Sequence, residues 1–261
     1  MNMQTSFDIA AAAAALGTTA CRYDIDAVAE CDSSNSRLLE RAAAGAPSGT
    51  VLVAERQTAG RGRRGRSWIS APADSLTFSL LWRFPHQSDA PAALSLAVGL
   101  ALVRGLEALG ARGIGLKWPN DLLIGDSKLA GILVELQAGE LRSAVIGIGL
   151  NLRRPNGLSE DVAAAGLDQA LAALPTREVV LAALLAALAQ TLDAYGSSGF
   201  ASLRNEWQAR HAWQGLPVRV SGGEAAEGLC LGVGDDGALN LDTPQGLRRI
   251  LAGDVSLRAV P

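Results

Sequence analysis

Residues Glu55–Trp68 read E-R-Q-T-A-G-R-G-R-R-G-R-S-W, with Gly60, Gly62 and Gly65 set among Arg61, Arg63, Arg64 and Arg66. Glycine lets backbone N–H groups come close to a ligand and tolerates positive φ. Arginine presents a planar, permanently charged fork that grips carboxylate or phosphate at two points. Guanidinium groups crowded this closely repel one another unless an anion compensates them. The stretch predicts a loop that closes over an anionic ligand. A solvated basic loop and an arginine–glycine segment for RNA remain open as blander readings. It is read neither as a P-loop, which ends in G-K-S/T, nor as a dinucleotide fingerprint.

Working outward, Val51–Ala54 is a short apolar strand that delivers this loop, and Ser75–Trp82 is a second strand. Upstream, Asp32-Ser33-Ser34-Asn35-Ser36 precedes a helix over Arg37–Ala44, and on its own reads as a helix cap. Downstream, Pro91–Gly110 carries apolar residues at helical spacing and packs a core. In Gly115–Asp121 (G-L-K-W-P-N-D), Pro119 biases Trp118 towards an extended conformation, so Asn120 and Asp121 project from a loop. Leu122–Ile124 and Ser127–Leu136 form a hairpin about Gly125-Asp126, with Lys128 just past the turn. Ala144–Leu150 (A-V-I-G-I-G-L) is an apolar strand whose glycines mark a close approach of another group. Asn151 follows it and either closes a turn or reads a base edge.

Arg177–Tyr195 is a strong helix capped by Thr176, and Gly199–Trp213 reads as another. From Leu216 onward, short strands at Pro217–Val220, Gly228–Val233, Ala238–Leu241, Leu247–Leu251 and Val255–Arg258 predict a small barrel. The boundaries drawn are an alanine-rich extension over 1–29, a catalytic domain over 30–214 and a C-terminal domain over 215–261.

The 261 residues are 49% hydrophobic and 19% charged, which suits a globular protein with a sizeable core. A net charge of −3 makes the arginine loop a local feature and counts against a general nucleic-acid binder, which spreads basic surface more widely. Cys21, Cys31 and Cys230 lack metal-site spacing, and the histidines, His86 and His211, are far apart. Neither zinc nor a disulfide scaffold is expected, and free thiols suit a reducing cytoplasm. The apolar run Ile9–Leu16 carries no basic start and is shorter than a membrane span, so neither a signal peptide nor a transmembrane segment is read.

Taken together, these motifs closely resemble biotin protein ligase. The motifs are Asp32-Ser33-Ser34-Asn35, Gln57 through Trp68, Lys117-Trp118-Pro119-Asn120-Asp121, Lys128-Leu129-Ala130-Gly131 and Gly147-Ile148-Gly149-Leu150-Asn151, in that order. The resemblance covers residues 30–261. It implies an α/β (α+β) fold: a mixed, mostly antiparallel sheet with helices, similar to class II aminoacyl-tRNA synthetases, plus an SH3-like C-terminal β-barrel. It implies ATP-dependent biotinylation of a lysine on the biotin carboxyl carrier protein of acetyl-CoA carboxylase or a related carboxylase, through biotinyl-5′-AMP, with magnesium. A cytoplasmic enzyme is implied, with a homodimer through sheet edges compatible with the resemblance. The short stretch before Asp32 leads us to expect no winged-helix DNA-binding domain and no DNA binding.

The resemblance also assigns roles. Ser33, Ser34, Asn35 and Gln57 would meet biotin's ureido head and rings. Arg61, Gly62 and Arg63 would line biotin and the adenylate. Lys128 would bridge the biotin carboxylate and the α-phosphate, making Lys128 and Arg63 the catalytic pair, and Gly131 would leave room beside the tail. Arg64, Arg66, Lys117, Asn120 and Asp121 would serve the phosphates, with Asp121 on Mg2+. Trp68 would stack near adenine, Asn151 would read its edge, and Arg258 would reach back from the barrel. Ser34 stands where the family often has threonine, which keeps the hydroxyl. A lipoate or octanoate ligase shares the core fold and is the nearest enzymatic alternative. A non-enzymatic nucleic-acid module is the second, and it leaves Lys128 and Asn120 unexplained.

Overall fold

The computed structural model describes residues 7–84, 91–137, 143–155, 163–221, 225–251 and 256–259. Asp8 caps the first helix, α1 (Ile9–Leu16), by accepting from the Ala11 N–H at 3.0 Å. Ile25, Ala27, Ala29 and Cys31 alternate with Asp24, Asp26, Val28 and Glu30, and this period-two pattern folds as strand β1 (Asp24–Cys31). Helix α2 (Ser34–Ala43), strands β2 (Thr50–Gln57) and β3 (Ser75–Arg83), and helix α3 (Pro91–Ala108) follow. Strands β4 (Ile114–Lys117), β5 (Asp121–Ile124), β6 (Ser127–Gln137) and β7 (Ser143–Asn151) complete the sheet.

The seven strands lie in the order β1-β2-β3-β7-β6-β5-β4, with β1 and β2 parallel and every other pair antiparallel. Side chains on β3 alternate in their burial partners. Leu80 and Trp82 join the main core beneath α3 and α4 (Arg177–Ser198), whereas Leu81 joins Val145, Leu38 and Ala42 beneath α2. Helices therefore cover both faces. Thr176 caps α4, and Glu178 lies in its first turn. By length and apolarity α4 could cross a membrane, but 56% of its apolar window is buried inside this fold, where it packs on α3 and α1.

Two segments depart from the sequence reading. Residues 24–29 are strand in the main sheet, and α1 packs on α4, so the alanine-rich extension is built into the body that carries the motifs. The helix expected over Gly199–Trp213 is broken into a single 3-10 turn at Phe200–Ser202 and a short helix, α5 (Arg204–Gln208). The reason is tertiary. The open edge of β4 takes the chain: Leu116 N donates to Arg210 O at 2.7 Å, and Ala212 N donates to Leu116 O at 2.9 Å. Edge-strand hydrogen bonds that would otherwise face solvent outweigh local helix preference here.

The C-terminal strands β8 (Pro217–Ser221), β9 (Ala226–Val233), β10 (Leu239–Thr243), β11 (Gly246–Ile250) and β12 (Ser256–Ala259) form one antiparallel sheet ordered β11-β10-β9-β8-β12. The Trp118 indole N–H donates to Gly237 O at 3.1 Å and joins this sheet to the turn between β4 and β5. Arg258 lies on β12 opposite Arg219 in backbone register, and its side chain falls outside the described residues. His86 and residues 156–162 also lie outside the described residues.

Candidate active site

The N-terminus of α2 meets the end of β2 at a buried polar knot. Ser33 caps the helix, its hydroxyl accepting from Ser36 N at 3.5 Å. The cap reading of this motif is therefore correct, and the pocket reading is not displaced by it. Asp32, just outside, is held below the usual carboxylate range by the Ser33 backbone N–H and by Arg37. Gln57 Oε1 accepts from Ser34 N at 2.7 Å and lies 3.1 Å from Ser34 Oγ. Ser79, fully buried on β3, lies 2.5 Å from Asn35 Oδ1 and 2.8 Å from Ser34 Oγ. Asn35 Nδ2 donates to Glu135 Oε2 at 2.8 Å and to Leu133 O at 3.3 Å.

Proton counting orients this knot. A carboxylate and a backbone carbonyl only accept, so the Asn35 atom facing them is the NH2 and the other is the carbonyl oxygen. Ser79 has one hydroxyl proton, and it goes to that carbonyl. Ser34 has one hydroxyl proton for its contacts with Gln57 Oε1 and Ser79 Oγ, so none is left for a ligand and a Ser34 lone pair remains to accept from a ligand N–H. The Asn35 amide is spent on the protein.

Three glycines open the floor. A Cβ on Gly147 would lie 2.3 Å from Asn35 Oδ1, and one on Gly149 would lie 2.2 Å from Trp68 Cε2. A Cβ on Gly131 would lie 2.9 Å from Lys128 Nζ. The β6–β7 register sets Gly131 opposite Gly149 and Leu133 opposite Gly147, so the clearings form one trough.

The arginine loop lies over this trough. Gly60 O accepts from Trp68 N at 2.9 Å, and Gly62 N donates to Arg66 O at 2.7 Å, which closes the loop on itself. At its tip Gly65 takes a φ of 67°, the conformation glycine was expected to permit, and Arg64 takes 61° without being glycine. Gly60, Gly62 and Gly65 do have the letter spacing G-x-G-x-x-G, but they lead into a single 3-10 turn at Arg63–Gly65, not the helix a dinucleotide fingerprint requires. Arg61 pairs with Glu135 at 2.7 Å, and Arg63 donates to Asn120 Oδ1 at 3.3 Å. Asn120 is held in turn by Ile132 O, which accepts its amide at 2.8 Å.

At the far end Lys128 Nζ lies 2.7 Å from Asp121 Oδ1 and 5.8 Å from the Trp68 ring centroid. One cavity of about 50 Å³ joins these groups, lined by Ser33, Ser34, Asn35, Gln57, Arg61, Gly62, Arg63, Trp68, Asn120, Lys128 and Gly131 among the expected residues. Arg64 and Arg66 line an adjoining groove of about 510 Å³ under the loop. Asp121 enters through Lys128. Asn151 donates to Lys128 O at 3.3 Å and Ala165 O at 3.1 Å, a structural use of its amide beside the site. Lys117 is not brought in: its ammonium sits over the Trp213 ring, 4.6 Å from the centroid.

Sequence reasoning missed Ser79, Thr77 and Glu135. The strand alternation that places Ser79 and Thr77 on the face opposite Phe78 and Leu80 carried a usable signal. Nothing local marked Glu135. Trp68 Nε1, Thr77 Oγ1 and Asn151 Oδ1 are buried without a hydrogen-bond partner. Each such atom costs about 1–3 kcal/mol, and two of them, on Trp68 and Thr77, belong to residues that line the cavity, which marks a site made for a polar ligand.

Residues 28–151 match the Biotin/lipoate A/B protein ligase family, and residues 215–258 match the Biotin protein ligase C terminal domain. The biotin--[acetyl-CoA-carboxylase] ligase of Paracoccus denitrificans is 36% identical over 241 residues, covering 87% of this chain and 98% of that protein. This chain belongs to the biotin protein ligase family. The Mycobacterium tuberculosis biotin--[acetyl-CoA-carboxylase] ligase is 37% identical, with 88% of each chain covered. The Escherichia coli bifunctional ligase/repressor BirA is 36% identical over 72% of its length. The ligase's fold agrees with that of the Aquifex aeolicus biotin protein ligase in complex with biotin and ATP, at a TM-score of 0.81 and 30% identity over 91% of this chain and 99% of that one. The recognition of an enzyme of this family, and of its mixed sheet with a C-terminal antiparallel sheet, is correct.

Proposed function

We propose that this ligase activates biotin with ATP and passes it to a lysine of a biotin carboxyl carrier domain. A biotin carboxylate oxygen attacks the α-phosphorus, the bond from that phosphorus to the bridging oxygen breaks, and pyrophosphate leaves. The carrier's lysine amine then attacks the carbonyl of biotinyl-5′-AMP, AMP leaves with the bonding electrons, and the amine loses a proton. The observation that carries this reading is the polarity of one cavity. A neutral donor–acceptor set of Ser34 and Gln57 lies at one end, and the cations Lys128 and Arg63 lie at the other. That matches a urea head and an anionic tail on one ligand.

Two anions, carboxylate and α-phosphate, must meet, and their repulsion is the barrier the site lowers. Lys128 leaves Asp121 and bridges them. Arg63 follows the developing charge, and Arg64 and Arg66 take the outgoing phosphates. Charge-assisted hydrogen bonds contribute roughly 1.5–3 kcal/mol each, and those that strengthen at the five-coordinate phosphorus raise the rate. No side-chain nucleophile is required. The resident cavity is smaller than the roughly 300–1,000 Å³ of small-molecule sites, so Trp68 shifts off Gly149 when ligand enters and offers its ring to the adenine.

Among the described residues no cluster of three His, Cys, Asp or Glu side chains could hold a metal unaided. Asp121 and Asn120 offer hard oxygen donors at the phosphate end and are the residues that would help hold magnesium there. The ion supplies charge neutralisation of the phosphates. Arg258 is assigned to the nucleotide as part of this proposal, and a reducing cytoplasm suits the free thiols Cys21, Cys31 and Cys230.

The test is a mass measurement. Incubating the protein with ATP, magnesium, carrier domain and biotin is expected to add one biotinyl group to one carrier lysine, and lipoate in place of biotin is expected to add nothing. Labelling with lipoate but not biotin would overturn the substrate assignment.

A further inference from the structure

We infer that Glu135 is a positioning residue that couples closure of the arginine loop to recognition of the ligand's head. The inference rests on the biotin-ligase reading above. A single carboxylate oxygen, Glu135 Oε2, accepts from Arg61 of the loop at 2.7 Å and from Asn35 of the floor at 2.8 Å. Glu135 is rooted on β6, two residues beyond Leu133, whose carbonyl also holds Asn35. Its side chain is one-quarter exposed, so the contact is neither fully screened nor fully desolvated.

The chain of contacts has a direction. Arg61 holds Glu135, Glu135 fixes the Asn35 amide, and that amide takes the Ser79 proton. Ser34 is thereby left as an acceptor facing the cavity. Loop position and the polarity of the head pocket are set by the same oxygen. Opening the loop withdraws Arg61, loosens Glu135 and frees the Asn35 amide to turn. A ligand head that fits Ser34 favours the oriented amide, and with it the closed loop, since the two states share their contacts. Glu135 lies at the end of β6 away from Lys128, so it touches neither the carboxylate nor the phosphates, and its influence should spare ATP.

Four proteins test this: Glu135→Ala, Glu135→Gln, Arg61→Ala and the Arg61→Ala/Glu135→Ala pair. The readouts are KM for biotin, KM for ATP and the rate at which preformed biotinyl-5′-AMP leaves the protein. Loss of one charge-assisted contact converts to a change of about tenfold or more. Glu135→Ala is expected to raise the biotin KM and the release rate about tenfold, with the ATP KM changed less than about twofold. The isosteric Glu135→Gln, which keeps an acceptor for Asn35 but not the charge on Arg61, should fall between. The double variant should be no worse than the more impaired single, because both remove one link. A biotin KM and release rate within about twofold of wild type in both Glu135 variants, or single effects that multiply in the pair, would overturn the coupling while leaving the ligase reading intact. Wild-type protein that forms no adenylate from biotin and ATP would overturn both.

Discussion

The floor of the trough and the loop above it are built on opposite principles. The floor is buried and fully specified. Ser34, Asn35 and Ser79 are each within 3% of full burial, and each hydroxyl and amide has an assigned partner. The loop is mostly exposed, closes on itself through three backbone hydrogen bonds, and touches the body by the side chains of Arg61, Arg63 and Trp68. A rigid neutral floor can discriminate a head group by shape and proton direction, because an unpaired polar atom there costs free energy. An exposed charged loop can follow a changing anion and then let it go. In the proposed reading, selectivity and retention fall to separate pieces of the chain, and Glu135 joins them.

The comparison breaks most sharply at Lys128, where both pieces converge. Lys128→Ala is expected to slow adenylate formation by about three orders of magnitude, in line with loss of a preorganised charge, while melting temperature stays close to wild type. Pyrophosphate release from biotin and ATP measures it. Gly147→Ala attacks the floor alone. Its Cβ would lie 2.3 Å from Asn35 Oδ1, so the amide must shift. The biotin KM should rise about a hundredfold, the scale of a lost buried polar contact, with little change in the ATP KM by steady-state kinetics. Arg63→Gly attacks the loop alone. It should retain adenylate formation within about tenfold yet release the intermediate early, read as biotin on bystander lysines by mass spectrometry. Labelling still confined to the carrier would refute retention by the loop.

His211 lies outside both pieces and serves as the control. Burial pushes its imidazole down to about 4, so the folded protein keeps it neutral. Unfolded chains bind that proton near pH 6.5. Stability is therefore full above about pH 6.5 and is lost as pH falls towards 4. By pH 5 the loss should be about 2 kcal/mol. Urea unfolding at pH 7 and pH 5 checks this, and His211→Gln should lose less between the two than wild type does. Activity per folded molecule should be unaffected.

Much of the fold was legible because its signals are local. The glycine turn at Gly125 fixed the β5–β6 hairpin, and Thr176 and Glu178 marked the start of α4. The site was legible where a residue's chemistry was unusual for its place: arginines with glycines, or glycines inside an apolar strand. What stayed hidden depends on partners distant in sequence. Glu135 reads as a plain strand residue until Asn35, 100 positions away, meets it. Asn151 reads as either a turn closer or a base reader, and only the fold shows its amide donating to Lys128 O and Ala165 O. The break after Phe200 needed the open edge of β4, and β1 escaped notice because alanine makes a faint alternation.

The most direct measurement is a crystal structure with biotin and a non-hydrolysable ATP analogue. The expected result is Lys128 Nζ drawn away from Asp121 and placed between the biotin carboxylate and the α-phosphate, with Trp68 off Gly149 and Arg61 still on Glu135. Biotin bound elsewhere, with the Lys128–Asp121 pair undisturbed, would contradict the account.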